Sequence, residues 1–145
     1  MSGDAIVAAA RGWIGTPYVH QASCRGAGAD CLGLIRGVWR EVLGGEPVAV
    51  PAYTPDWSEA GGEELLLRAA AAWLDPVPPG AERSGDVMVF RMRRGAVAKH
   101  LGILAETGAA PSFIHAYSGH AVLESPLTPP WARRVVAYFR FPSKG

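Results

Sequence analysis

Two residue types in this chain are suited to covalent chemistry: the cysteines Cys24 and Cys31, and the histidines His20, His100, His115 and His120. Cys31 stands in AGADCLGLIRGVWREVL (residues 27–43), directly behind Asp30 and directly ahead of an apolar run. A nucleophilic cysteine needs thiolate character, a nearby base and a group that holds the base. The first is argued locally, because unpaired N–H groups and the macrodipole at a helix's first turn lower a thiol's pKa. Asp30 is the expected N-cap, accepting from those same amides. Gly33 keeps bulk away where a substrate backbone would approach. The competing reading is an inert buried thiol, and an acid–cysteine pair ahead of a helix does not separate the two.

The base has to come from elsewhere in the chain. His100 and His115 fall in KHLGILAETGAAPSFIHAYS (99–118), which reads as a hairpin. A turn centred on Thr107 and Gly108 sets them directly opposite each other, with β-carbons roughly 5 Å apart. The pairing is conditional on register, since a turn displaced by one residue is expected to put them on opposite faces. In the direct arrangement His115 is placed to hold His100, the base, in one tautomer. A lone strand histidine is otherwise an ordinary core or edge residue. Cys24, Cys31, His100 and His115 are also of types that ligate zinc, although the spacing of the two cysteines lacks the tight zinc knuckle. Cys24 reads as a loop residue with neither role. His20, close to Tyr18, is expected to line the same cleft without doing chemistry, and His120 is ambiguous.

These side chains must be positioned by helices first and strands afterwards. A first helix is expected over 4–14 and a second from Asp30, with Leu34, Ile35, Val38, Trp39 and Val42 on one buried face. Between them, YVHQASCRGAGA reads as loop. Prolines at 47, 51 and 55 stiffen a connection, and a third helix follows over about 58–74. The second half then changes period, with short β-branched or aromatic runs at 86–92, 99–106, 111–118, 121–125 and 134–141. The order predicts an α+β fold whose antiparallel sheet is a meander of about five strands.

Composition narrows the function. The chain has 145 residues, 49% of them hydrophobic and 19% charged, which fits one globular domain, 1–145. A net charge of +1 marks neither a nucleic-acid nor a membrane-surface partner. The N-terminal stretch MSGDAIVAAARGW lacks the basic start and long apolar core of an export signal, so synthesis in the cytoplasm, with both thiols reduced, is expected.

At these residues the sequence resembles the NlpC-type cysteine peptidases of bacterial cell walls, which have a papain-like fold. ARGWIGTPYVHQASCRGAGADCLGLIRGVWREV resembles the family's first helix, tyrosine loop and nucleophile helix. RSGDVMVFRM resembles the first sheet strand, which opens on a Gly-Asp pair, here Gly85–Asp86. KHLGILAETGAAPSFIHAYSG resembles the hairpin with the base, and VLESPLTPPWARRVVAYFRF the closing strands. The resemblance implies Cys31 as nucleophile, His100 as base, His115 as the residue orienting it, and Tyr18, with Asp30 beside it, on the oxyanion or substrate. Leu32 departs from the serine common in the wider family. The stretch 44–85 is longer than a minimal member needs, an insert that with its own helix, Trp57 and Trp73 suits a lid or a docking surface, in a docking or packing role rather than a catalytic one.

The wording GTPYVHQAS and DCLGLIRGVWRE looks closest to the branch encoded with phage and gene-transfer-agent tail proteins. That implies a particle-borne hydrolase cutting a peptidoglycan stem peptide between γ-D-glutamate and a diamino acid. Its partners would be that peptide and phage-like tail proteins, with no metal or organic cofactor. The alternatives are a catalytically silent structural tail component, or an amidase or acyltransferase on the same scaffold.

Overall fold

The computed structural model describes residues 3–47, 53, 57 and 62–143. Helix α1 (Gly3–Arg11) buries Ile6, Val7 and Ala10, one stripe of its short amphipathic repeat. The segment read as loop contains a small ribbon, β1 (Ser23–Cys24) against β2 (Gly28–Ala29), folded back at Gly26, whose φ of 82° suits glycine. Alternation over two residues is too short to signal a strand. Helix α2 (Cys31–Val42) starts where expected, capped by Asp30, and buries Leu34, Ile35, Val38 and Trp39.

The packing of α1 on α2 depends on a missing side chain. A β-carbon on Gly37 would lie 2.0 Å from Trp13 Cζ2, and Trp13 is fully buried with its indole N–H donating to Glu41 at 3.0 Å. Gly37→Ala is therefore expected to cost about 1–3 kcal/mol through overpacking, measured by urea unfolding. An unchanged midpoint would mean that Trp13 can move aside.

Helix α3 spans Leu65–Trp73, and Trp73 packs edge-on against Trp39 at 5.4 Å. The expected start of this helix at 58–61, and most of the proline-stiffened connection, lie outside the described residues. Strands β3 (Asp75–Val77), β4 (Val87–Arg91), β5 (Ala98–Glu106), β6 (Ser112–His115), β7 (Leu123–Pro126) and β8 (Val135–Arg140) form one antiparallel sheet. Its order is β3-β8-β4-β5-β6-β7.

The meander thus holds for β4 to β7, while β8 returns past the short α4 (Pro129–Ala132) to pair with β4. The strand not foreseen, β3, carries Pro76 and sits at the edge, where proline is tolerated. Asp86, of the Gly85–Asp86 pair, anchors the closing strand through two 2.8 Å bonds from Arg140.

Both faces of the sheet are covered. Val87, Val89, Leu101, Ile103 and Ile114 join the core with α1 and α2. Met88, Phe90, Leu104 and Phe113 form a second cluster, covered by Met92, Trp131 and Tyr138.

The hairpin register differs from the expected one. Ile103 faces Ile114 and Leu104 faces Phe113, with a bulge before Glu106. Next to the turn Glu106 faces Ser112, three residues from the expected pairing; the bulge takes one back, so the shift around the histidines is two residues and the shared face is kept. His100 and His115 are consequently diagonal neighbours rather than direct partners, and the bulge is what keeps them on one face. A diagonal pair has β-carbons roughly 7 Å apart. That spacing leaves room for two imidazoles to meet end to end, which direct opposition does not.

Candidate active site

The start of α2 and the leading end of β5 open onto a cavity of about 320 Å³. Cys31 and His100 both line it, with Tyr18 and Asp30. Asp30 caps the helix, its Oδ1 accepting from the Gly33 amide at 2.7 Å. Sulfur and base are therefore carried by different layers, the helix and the sheet, and packing brings them to one wall.

Behind His100 the polar contacts continue. His100 Nε2 and His115 Nδ1 are 2.8 Å apart and share one proton, which leaves Nδ1 as the other nitrogen of the His100 ring. His115 Nε2 lies 2.9 Å from Ser125 Oγ on β7. Aromatic rings enclose the pair, with Phe113 4.2 Å and Trp131 5.3 Å from His115, and Phe90 5.5 Å from His100. Both imidazoles are buried.

Burial sets the charge state of the site. It pulls His100 down to about 3, with His115 adding to the effect, and pulls His115 down to about 4, with His120 adding. Burial, then the Asp30 carboxylate, pushes the Cys31 thiol up to about 12, against the amides of Leu101, Leu32 and Cys31, which favour the thiolate. The expectation of a thiol acidified by the helix start is thus reversed. Desolvation and a carboxylate next in sequence outweigh the helix's N–H groups, so the resting pair is a neutral thiol and a neutral imidazole.

Asp30, expected on substrate or oxyanion, lines the cavity with its carboxylate already engaged by the protein. It is 2% exposed, and Oδ2 accepts from the Gln21 amide at 2.7 Å and from the Tyr53 hydroxyl. A carboxylate so engaged repels an oxyanion; its observed work is to cap α2 and tie down the preceding loop. Gly33 likewise makes room for protein rather than substrate, since a β-carbon there would lie 1.8 Å from the Ala22 carbonyl oxygen. Asp30→Asn keeps a capping oxygen but removes the charge. The pH profile of Cys31 alkylation by iodoacetamide, in a Cys24→Ser background, is expected to move to lower pH. An unmoved profile would leave burial as the only cause of the raised thiol.

Tyr18 is half-buried in the cavity wall, and burial, then Cys31, raises its hydroxyl's pKa. His20 does line the cleft, its Nε2 2.9 Å from the Tyr53 carbonyl oxygen. Cys24 is exposed and free and does not line the cavity, and His120 stacks on Tyr117 at 5.4 Å. Among the described residues no group of three or more histidine, cysteine or acidic side chains is arranged to hold a metal ion. Sequence reasoning missed Tyr53 and Ser125, and gave Trp57 only a docking or packing role. Tyr53 and Trp57 stack at 4.4 Å and line the cavity from the region of the expected insert. Nothing in their spacing marked them. Ser125 was legible only as a strand residue.

A cysteine at a helix start facing a histidine of an antiparallel sheet, on helices followed by strands, is the papain-like arrangement. The NlpC/P60 family profile matches residues 15–140, and the chain belongs to that family. Solved structures share the fold. An NlpC/P60 family protein from Bacillus cereus ATCC 10987 superposes with a TM-score of 0.66 at 18% identity, over 97% of this chain and 40% of that one. The NlpC/p60 domain of the peptidoglycan hydrolase SagA gives 0.65 at 21% identity, over 97% of this chain and 100% of that one. NlpC1 from Trichomonas vaginalis gives 0.61 at 18%, over 96% of this chain and 44% of that one. The chain therefore spans less than half of the Bacillus and Trichomonas proteins and the whole of the SagA domain. No curated protein sequence is a significant match.

Proposed function

We propose that this chain is a cysteine peptidase that hydrolyses an amide bond of peptidoglycan stem peptides, between γ-D-glutamate and the following diamino acid. The observation that carries the reading is the row of side chains behind one cavity: Cys31 and His100 on its wall, and His115 in line at 2.8 Å. Family membership and the fold shared with a domain named for peptidoglycan hydrolysis support the substrate class.

The Cys31 thiol gives its proton to the free nitrogen of His100 as the sulfur attacks the amide carbonyl. Backbone N–H groups at the start of α2, with the Tyr18 hydroxyl, receive the developing oxyanion. His100 then protonates the leaving amine, and the acyl-enzyme remains on sulfur. In the second half His100 takes a proton from water, which attacks the thioester and frees Cys31. His115 orients the base throughout, and no step calls for a metal or organic cofactor.

The resemblance of GTPYVHQAS and DCLGLIRGVWRE to tail-associated relatives supports a role in a phage-like particle, among its tail proteins. Synthesis in the cytoplasm would then be followed by action on the periplasmic wall. Digestion of purified diaminopimelate-type peptidoglycan, with fragments identified by mass spectrometry, tests the reading. Fragments with a new γ-D-glutamyl carboxylate and a new diamino-acid amine are expected. Cleavage at a different bond would refute the substrate assignment, and products joined to a second amine would make the enzyme a transferase.

A further inference from the structure

Three side chains on neighbouring strands form a diagonal row on the outer face of the sheet. His100 lies on β5, His115 on β6 and Ser125 on β7, each displaced by two residues from a direct cross-strand partner. The register sets Phe113 opposite Ser125 and Leu123 opposite His115, so His115 and Ser125 share a face. The contacts along the row are 2.8 Å and 2.9 Å. Ser125 does not line the cavity that holds Cys31 and His100.

We propose that Ser125 is a positioning residue, its hydroxyl accepting the His115 Nε2–H and so holding His115 in the tautomer that His100 needs as a base. This rests on the hydrolase reading for its consequence in turnover, but its geometry stands apart from that reading.

When His100 has taken the proton of Cys31, both of its nitrogens carry hydrogen. Its Nε2–H then points at His115 Nδ1, which must offer a lone pair. A neutral imidazole with a bare Nδ1 carries its hydrogen on Nε2. That hydrogen faces Ser125 Oγ, which must accept. A serine hydroxyl can do so because it rotates its own hydrogen elsewhere, and Ser125 is only half-buried, with solvent in reach.

In the opposite tautomer His115 donates from Nδ1, His100 accepts at Nε2, and the His100 hydrogen sits on the nitrogen meant to receive the thiol proton. That state cannot begin the reaction. Without the serine oxygen the productive tautomer leaves a buried N–H unpaired, whereas the unproductive one leaves only a bare nitrogen. An unpaired buried donor is the costlier of the two.

Two readouts test this. In Cys31→Ala protein, ¹⁵N shifts of the His115 ring are expected to show hydrogen on Nε2 and a bare Nδ1. Adding Ser125→Ala is expected to shift the population toward hydrogen on Nδ1. In the active enzyme, Ser125→Ala is expected to lower kcat roughly tenfold to a hundredfold with KM unchanged, the scale of one unsatisfied buried donor. Ser125→Thr, which keeps the hydroxyl, is expected to restore most of kcat.

Hydrogen on His115 Nδ1 in the protein with Ser125 intact would overturn the proposal, and that measurement needs no variant at position 125. So would a Ser125→Ala enzyme with unaltered tautomer and kcat, or a Thr variant as slow as the Ala one. Should the wild type cleave no peptidoglycan, the hydrolase reading fails by itself, and the ring shifts still decide what Ser125 does.

Discussion

Hydrolysis is expected to fall about a thousandfold or more in Cys31→Ala, equally in His100→Gln, and no further in the double variant. Loss of the sulfur removes the covalent route. The severity at His100 follows from the charge state of the site. With burial and the Asp30 carboxylate pushing the thiol well above its ordinary value, almost none of the sulfur is ionised at pH 7 without a base. A cysteine already held as a thiolate by its surroundings would lose less when its histidine is removed. Here proton transfer to His100 belongs to the attack itself, so the two residues act as a unit and their losses do not add. Release of soluble fragments from purified peptidoglycan measures the rate, and thermal melting shows that the variants are folded. A Cys31→Ala protein at wild-type rate would end the peptidase assignment. A His100→Gln loss below tenfold would show that the sulfur ionises without that base.

Much of the site was legible because its members belong to elements with strong signals. The apolar repeat after Asp30 fixes the phase of α2, and with it the place of Cys31. The glycine-centred hairpin puts two histidines on one face. Register was less legible, because a bulge before Glu106 moves the pairing by one residue between the turn and the histidines, and bulges arise from local backbone geometry that alternation does not record. The charge state was read backwards for the same kind of reason: helix-start donors are visible in sequence, whereas the burial that outweighs them is a property of the assembled layers. Tyr53 and Trp57 come from a stretch without period. Their place on the cavity wall is set by contacts with Asp30 and with each other that no spacing announces. Edge strand β3 was hidden by Pro76, which reads as the stop of a helix and serves also as a strand residue where no donor is needed.

Stability is expected to fall steeply as pH drops from 6.5 toward 5, because of the same two imidazoles. His100 and His115 are buried and uncharged in the fold, held down to about 3 and about 4, while an unfolded chain titrates them near 6.5. Between those values the unfolded state binds more protons, so the stabilisation present above pH 6.5 is lost on acidification. One proton difference corresponds to about 1.4 kcal/mol per pH unit, and two to about 2.7 kcal/mol. At pH 5 the loss approaches about 4 kcal/mol, a large share of the roughly 5–15 kcal/mol that holds a domain folded. Glu46 and Glu124 are shifted the other way relative to their charge: their carboxylates are lowered by Arg36 and Arg11. Their stabilisation is lost only as pH falls below the ordinary carboxylate value near 4.5, so the interval from 6.5 to 5 isolates the histidines. Urea unfolding across that interval measures the slope, and His115→Asn, which removes one of the two groups, is expected to halve it. A flat profile, or a slope unchanged in the variant, would mean that the imidazoles are solvated or charged in the fold. The neutral resting pair would then be lost, and with it the reason for expecting His100 to matter as much as Cys31.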